Sequence, residues 1–321
     1  MKRGEIDLSS GLLVPPRFLG DSCFRYRSAQ SDVYSIWIVT PEAYQFSRCF
    51  EEVAFALQCS FRNLGFKVPV VTRPELATGT VIVLGPHLIP WINQSSLPQR
   101  MVLFNLEQVI ADSHWMTPEY IQMATTHLLW DYSRSNVLIW EQVGVKCNGI
   151  CEIGFVEELE RIQSSTTKDV DVTFIGSLND RRKAVLDELH NQNINLLWLF
   201  DVWGQQRDEV ISRSKILLNL HFFDAQIFEI VRVSYLLANS CCVVSEAGVD
   251  IDTEKSLSQG IAFSRHDGLV SKCMELLAND REQVRLRVEG RSLFAQRDQT
   301  QILKRALEEC ALPVNSSAHT T

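Results

Sequence analysis

The chain is 321 residues long, 45% apolar and 22% charged, an ordinary globular composition that excludes a wholly disordered or fibrous protein and leaves room for two domains. With 31 Lys+Arg against 39 Asp+Glu the net charge is −8, and no basic run is longer than Arg181-Arg182-Lys183. This excludes a protein that grips nucleic acid mainly through phosphates, but not a local cationic pocket.

Residues 1–31 mix Gly, Pro and Ser with a few apolar residues and read as an arm without a strong element of its own, and Met1 to Asp7 lacks the apolar stretch of a secretion signal. Val33 to Val39 is β-rich and predicts a strand. Thr40-Pro41-Glu42 then reads as an N-cap, a first-turn proline and an acidic first turn, so a helix is expected from there. Phe46, Phe50, Val53, Ala54, Leu57, Phe61 and Leu64 form its buried stripe, and Gly65 ends it. Short β-like runs follow at Phe66–Thr72, Thr80–Leu84 and Met101–Asn105. A second proline-initiated helix begins at Thr117-Pro118-Glu119, His127–Trp130 predicts another strand, and Arg134–Val143 a short helix.

This first half closes near Phe155, and Glu157–Asp169, charged and Ser/Thr-rich, is the expected linker. The domains are therefore expected at 1–156 and 157–321. A new series opens with a strand at Val170–Ile175. Further strands are expected at Asn195–Phe200, Ile216–Leu220, Cys241–Ser245 and Ile261–Ser264, with helices at 180–190, 206–213, 226–238 and 267–278 between them. Leu293–Cys310 reads as one amphipathic helix, and Val314–Thr321 as a fraying tail. The expected fold class is α/β, with two Rossmann-like domains of parallel strands facing a central cleft.

In open parallel sheets ligands bind beyond the carboxyl ends of the strands, so the loops after strands carry the candidate chemistry. Gly176-Ser177 ends the first strand of the second half and leads into a helix bearing Arg181 and Arg182; backbone N–H groups at a helix start beside a guanidinium suit a phosphate. Asn219-Leu220-His221 ends another strand, and Glu229 and Arg232 follow on the next helix, so that His221 and Glu229 are expected to face one crevice. A satisfied strand-end histidine and a surface Glu229–Arg232 pair are the structural alternatives.

Through Phe-Ile-Gly-Ser at 174–177, Asn-Leu-His at 219–221, Glu229, and the strand ending Val243-Val244-Ser245-Glu246, residues 170–300 resemble the nucleotide-sugar half of a GT-B-fold glycosyltransferase, most similar to CgeB-like and family-four-like enzymes. The resemblance implies that Glu229 binds the ribose hydroxyls of the donor and that His221 contacts its diphosphate. A carboxylate accepting two hydroxyls and an imidazole donating to a phosphate oxygen are physically apt for those roles. His221 stands where the retaining Glu-x7-Glu pattern has its first Glu, and Asn239 to Cys242 lacks a Gly-x-Pro, which leaves retaining and inverting chemistry both open.

The donor-binding residues are thus expected to be Gly176, Ser177, Arg181, Arg182, His221, Glu229 and Arg232, with Glu107 and His221 as the catalytic pair. Glu107 is the favoured general base because Asn105-Leu106-Glu107-Gln108 follows a strand; Glu42, His114 and Asp131 are the alternatives. Two Asp-x-Asp strings, Asp169-Val170-Asp171 and Asp250-Ile251-Asp252, read as solvated loops, and Cys147-x3-Cys151 lacks a second ligand pair at zinc spacing, so no metal site and no cofactor beyond the nucleotide-sugar substrate is expected.

No Gly-x-Gly-x-x-Gly, Walker loop or Gly-x-Ser-x-Gly is present. Nine cysteines, several in apolar periodic segments, fit a reducing cytosol, and no apolar run approaches 18 residues, so no membrane span is expected. The expected activity is metal-independent transfer of a hexosyl group to a glycan, lipid-linked or protein acceptor. A catalytically silent two-lobe scaffold and a GT-B-shaped sugar-nucleotide epimerase are the rivals.

Overall fold

The computed structural model describes residues 33–314 apart from 43, 111, 112, 114, 224 and 225. The N-terminal arm, the polar tail from 315 and the candidate base His114 therefore lie outside the described residues.

The first lobe contains β1 (Tyr34–Ile38), α1 (Glu51–Asn63), β2 (Val70–Val71), β3 (Thr80–Leu84), β4 (Met101–Asn105), α2 (Pro118–Thr126), β5 (Leu128–Asp131), α3 (Arg134–Gln142) and β6 (Gly149–Ile150). Its six strands form one parallel sheet in the order β2-β1-β3-β4-β5-β6. Strands β1, β3 and β4 are buried along their whole length, as continuous β-branched and aromatic runs between two layers require.

The second lobe contains β7 (Val170–Ile175), α4 (Asp180–Asn191), β8 (Leu196–Leu199), α5 (Gly204–Arg213), β9 (Ser214–Asn219), α6 (Ile230–Ala238), β10 (Val243–Glu246), α7 (Ile251–Leu257), β11 (Ala262–Ser264), α8 (Leu269–Leu277) and α9 (Asp280–Ala295). Its parallel sheet runs β11-β10-β9-β7-β8. The chain steps from β7 outward to β8 and returns on the other side to β9, so the strand order reverses between β7 and β9 and opens a crevice at their carboxyl ends.

The last helix, α10 (Gln299–Glu309), crosses back and packs on α1 and β6 of the first lobe, although its residues were expected with the second half. Its Ile302, Leu303, Ala306 and Leu307 are buried in the first-lobe core. The expected helix over 293–310 is broken at 296–298 because Phe155 pairs there: its N–H donates to Arg297 O (2.6 Å) and its carbonyl accepts from Gln299 N (3.0 Å). Asp298 then caps α10.

Three other local signals are overridden by packing. The helix expected from Thr40 begins as a 3-10 turn at Gln45 and becomes α only at Glu51. Ser47 Oγ donates to Val39 O (2.7 Å), and the Tyr44 and Phe46 rings turn toward Trp91 and Phe200. Of the strand expected over 66–72 only Val70–Val71 pairs, because Gln58 donates to Val68 O (2.8 Å) and Phe66 packs edge-on to Tyr34. Asp250-Ile251-Asp252, read as a loop, instead opens the helix Ile251–Leu257, whose Leu257 is buried.

Asp131, at the end of β5, is the polar node of the first lobe. Its fully buried carboxylate accepts from Ser133 N (2.8 Å), Asn136 Nδ2 (2.9 Å), Asn105 Nδ2 (2.8 Å) and Trp140 Nε1 (2.9 Å). Asn105 and Asn136 in turn both donate to Glu107 O, at 2.8 and 2.9 Å, and so fix the loop after β4. Asp131→Ala strands four buried donors. It is expected to destabilise the protein by about 3 kcal/mol or more, read from the urea midpoint at unchanged slope.

Candidate active site

The second-lobe side of the site grows from the ends of β7 and β9. Gly176, with φ +151°, follows β7; a Cβ there would lie 3.4 Å from Phe174 Cζ, 3.5 Å from Arg182 Nη1 and 3.7 Å from Arg232 Nη2. Two guanidiniums thus converge on a backbone turn where only glycine is unstrained.

Arg182, in the first turn of α4, is 1% exposed. It donates to Leu220 O (2.5 Å), His221 O (3.3 Å) and Ser177 O (2.9 Å) and stacks on Phe174 and Phe222. Burial, with Arg232 beside it, lowers its pKa to about 9. Arg232 on α6 donates to Asn219 Oδ1 (3.0 Å), its one side-chain hydrogen bond among the described residues, so the rest of its guanidinium is available to the cavity.

Glu229 immediately precedes α6. The helix expected over 226–238 starts only at Ile230, and Gln226 before it is left-handed at φ +49°. Glu229 Oε2 lies 3.0 Å from His221 Nδ1 and accepts from Asn219 Nδ2 (3.0 Å). Its Oε1 is held more loosely, by Gln108 Nε2 at 3.4 Å and Arg182 Nη2 at 3.9 Å. Burial pushes the carboxyl up, but His221, Arg232 and Asn219 together outweigh it and hold Glu229 below the usual carboxylate range. It is therefore an anion with one oxygen spent and one turned to the cavity.

His221 is fully buried and does not line the cavity. The ring expected on the diphosphate sits behind Glu229, its Nε2 toward Gly248, where a Cβ would approach to 2.8 Å. Arg181 likewise turns away: it pairs with Glu246 at the end of β10, whose Oε2 also accepts from His221 N (3.1 Å). Both residues brace the site from outside. Of the expected donor-binding set, Gly176, Ser177, Arg182, Glu229 and Arg232 line the cavity.

That cavity, about 500 Å³, lies between the lobes. On the first-lobe wall Glu107 is half-buried and makes no side-chain hydrogen bond among the described residues; burial raises its carboxyl to about 7, with Arg232 pulling the other way. The alternative bases stand elsewhere. Glu42 is exposed and outside the cavity, and Asp131 is sealed by its four donors.

Tyr44, Phe46, Glu52, Arg207 and Tyr235 are cavity residues that the sequence reading did not single out as functional. Arg207 on α5 bridges to Glu52 on α1 (2.8 Å) and Phe46 meets Phe200 at 5.4 Å, both across the lobes. No local motif announces such pairs. The Asp-x-Asp strings are otherwise engaged: Asp169 with Arg213, Asp171 with Lys215, and Asp250 accepting from Ser135 Oγ (2.6 Å) and Ser133 Oγ (3.3 Å) of the first lobe. Cys147 Sγ lies 3.3 Å from Gly149 O, and Cys151 is buried against Gln299.

The chain superposes on the solved structure of Anabaena HepE in complex with UDP and glucose with a TM-score of 0.53 at 9% identity, covering 88% of this chain and all of that one. It also superposes on AviGT4, a glycosyltransferase involved in avilamycin A biosynthesis, with a TM-score of 0.54 at 12% identity, covering 86% and 96%. The chain has the GT-B glycosyltransferase fold. A third GT-B structure, TarM, matches with a TM-score of 0.51 at 11% identity over 72% of this chain and 54% of that one.

No protein-family model matches. Among curated proteins, the uncharacterized mimivirus proteins L137 and R358 of Acanthamoeba polyphaga mimivirus are 29% and 27% identical over 192 and 207 residues, or 56% and 60% of this chain. The matched regions span 25% of L137 and 68% of R358.

Within this GT-B cleft the raised Glu107 carboxyl has a sign that stability measurements read directly. Its folded pKa of about 7 exceeds the ordinary 4.5, so the folded state binds the proton more tightly, and stability is lost as pH rises from 4.5 through 7. Glu107→Gln removes that penalty. The variant should be more stable than wild type by about 2 kcal/mol at pH 8.5, allowing for solvent at the cavity wall, and nearly equal at pH 5, in paired denaturant titrations.

Proposed function

We propose that this protein transfers a glycosyl group, of the hexosyl type, from a nucleotide-sugar donor to an acceptor hydroxyl in the interlobe cavity. The observation that carries the reading is the convergence of Arg182 and Arg232 on the Gly176-Ser177 turn, with the more loosely held oxygen of Glu229 beside them. That set offers a diphosphate two positive charges and offers a ribose a carboxylate acceptor. HepE, which shares the fold, was solved in complex with UDP and glucose, which supports a nucleotide-sugar donor by fold analogy.

In this reading Arg232 touches the diphosphate, while Arg182, its donors committed to backbone carbonyls, contributes charge. Glu229 Oε1 accepts the ribose hydroxyls, and His221 holds Oε2 in place. The acceptor oxygen attacks the anomeric carbon, its proton passes to Glu107, and the bond to the diphosphate breaks with its electron pair leaving on the phosphate oxygen. Neutral-pH ionisation of Glu107 suits a general base. This is the inverting route; a retained anomeric configuration would remove Glu107 from it.

The arginines supply the charge that a divalent ion supplies in metal-dependent transferases, so we propose metal-independent turnover. The acceptor is proposed as a glycan, lipid-linked glycan or protein hydroxyl, with no role for nucleic acid. The eight described cysteines are all free thiols, which supports the reducing cytoplasm proposed for it. No helix among the described residues is long and apolar enough to cross a membrane.

Calorimetry with UDP and uridine checks the donor assignment. Arg232→Ala should weaken UDP at least tenfold while changing uridine little, and Glu229→Ala should weaken both by about 1.5–3 kcal/mol. Unchanged UDP affinity in both folded variants would overturn it.

Turnover checks the base. Glu107→Gln should lower kcat roughly 100-fold with UDP affinity intact, and wild-type kcat should fall as pH drops below about 7 and persist in chelator. Donor binding without transfer or hydrolysis would indicate the silent scaffold, and a donor sugar of altered configuration the epimerase.

A further inference from the structure

Gln108 is the residue next to Glu107, but its side chain leaves the first lobe. It is buried, and its carboxamide makes a reciprocal pair with the backbone of Ile227 in the second lobe. Nε2 donates to Ile227 O at 2.9 Å, and Ile227 N donates to Oε1 at 3.3 Å. The same Nε2 lies 3.4 Å from Glu229 Oε1, the oxygen turned to the cavity.

The segment so held, 226–229, has the sequence of a helix start and is expected to be helical, yet α6 begins only at Ile230. Gln226 is left-handed, and its carbonyl is pinned by Val249 N (3.1 Å) against Gly248, where any Cβ would lie 1.9 Å from that oxygen. Local propensity therefore opposes the observed conformation, and interactions from β10's following loop on one side and Gln108 on the other impose it.

We propose that Gln108 is a positioning residue that fixes the 226–229 segment, and through it Glu229, only when the two lobes are together. The loop that carries the proposed base is thereby the loop that sets the proposed ribose-binding carboxylate, so one interlobe contact aligns both. The inference rests on the transferase reading and extends it by naming what positions the donor-binding carboxylate. Its structural half, the ordering of 226–229 by Gln108, stands or falls without any turnover.

Two variants separate positioning from folding. Gln108→Ala removes the tie. Gln108→Glu keeps its shape; when ionised it sets a carboxylate against Ile227 O and Glu229, and when protonated it regains one donor. Glu229 raises the introduced carboxyl's pKa, whereas Arg182 and Arg232 lower it.

Hydrogen exchange on the full chain reads peptides spanning 226–233, with those over α8 and α9 as controls. In Gln108→Ala, exchange at 226–233 should rise at least tenfold with the controls unchanged, and UDP affinity should fall at least tenfold. Gln108→Glu should match Gln108→Ala at pH 8 and move back toward wild type at pH 5.5, each compared with wild type at the same pH. Unchanged exchange at 226–233 would overturn the proposal, as would a uniform rise that includes α8 and α9. If wild type itself fails to bind UDP, the transferase reading fails, while the exchange data still decide the role of Gln108.

Discussion

A guanidinium taken out of water is tolerated only where its donors find acceptors, and Arg182 meets that demand by drawing three carbonyls to itself. Ser177 O comes from the turn after β7, and Leu220 O and His221 O from the end of β9. These are the two strands between which the order of the second sheet reverses. One buried cation therefore sets the spacing of the crevice, and its positive charge makes the presence of Glu229 at 3.9 Å electrostatically favourable. Arg181, one residue earlier, shares His221 O (3.3 Å) but pairs with Glu246, so the same helical turn braces the neighbouring strand β10.

The first lobe is organised around the opposite charge. Asp131 gathers four donors, two of which, from Asn105 and Asn136, continue to Glu107 O. A rigid polar node thus ends in a short loop whose consecutive side chains do different things: Glu107 stays at the cavity wall, and Gln108 crosses to the other lobe. Polar networks of this kind specify one arrangement because a partly satisfied buried group is so costly. The lobes meet again at Glu52–Arg207, at Ser135–Asp250 and at Phe46–Phe200. Apolar residues join the lobes as well: one continuous buried cluster includes Leu106 and Val109 of the first lobe and Ile227, Phe228 and Ile230 of the second.

The alternation of apolar runs with amphipathic stretches made two parallel sheets legible in the sequence, and most of the second-lobe elements lie within a residue or two of where periodicity puts them. The departures share one cause. Thr40-Pro41-Glu42 carries helix-start chemistry, but Ser47 and the Tyr44 and Phe46 rings are claimed by distant partners. Leu293–Cys310 has one helical period, but Phase-breaking contact from Phe155 divides it. Residues 226–229 favour helix, but Gln108 and Gly248 hold them out of it. In each case a non-local contact outweighs a propensity worth well under 1 kcal/mol per residue.

The sequence by itself determined the α/β class, the strand-end loops that carry Gly176, Ser177, Glu107 and Glu229, and the GT-B resemblance, because those depend on periodicity and on residue type at short spacing. Only the tertiary structure decided the direction of each side chain. Arg181 and Arg182 are adjacent and chemically identical, yet a helix turns successive residues by about 100°, sending one to Glu246 and the other to the cavity wall. His221 was legible as a strand-end histidine and its burial behind Glu229 was not, because that depends on Gly248 arriving from a different loop. The cavity wall built by Glu52 and Arg207 joins residues 155 positions apart, and such a pair exists only once the lobes have packed.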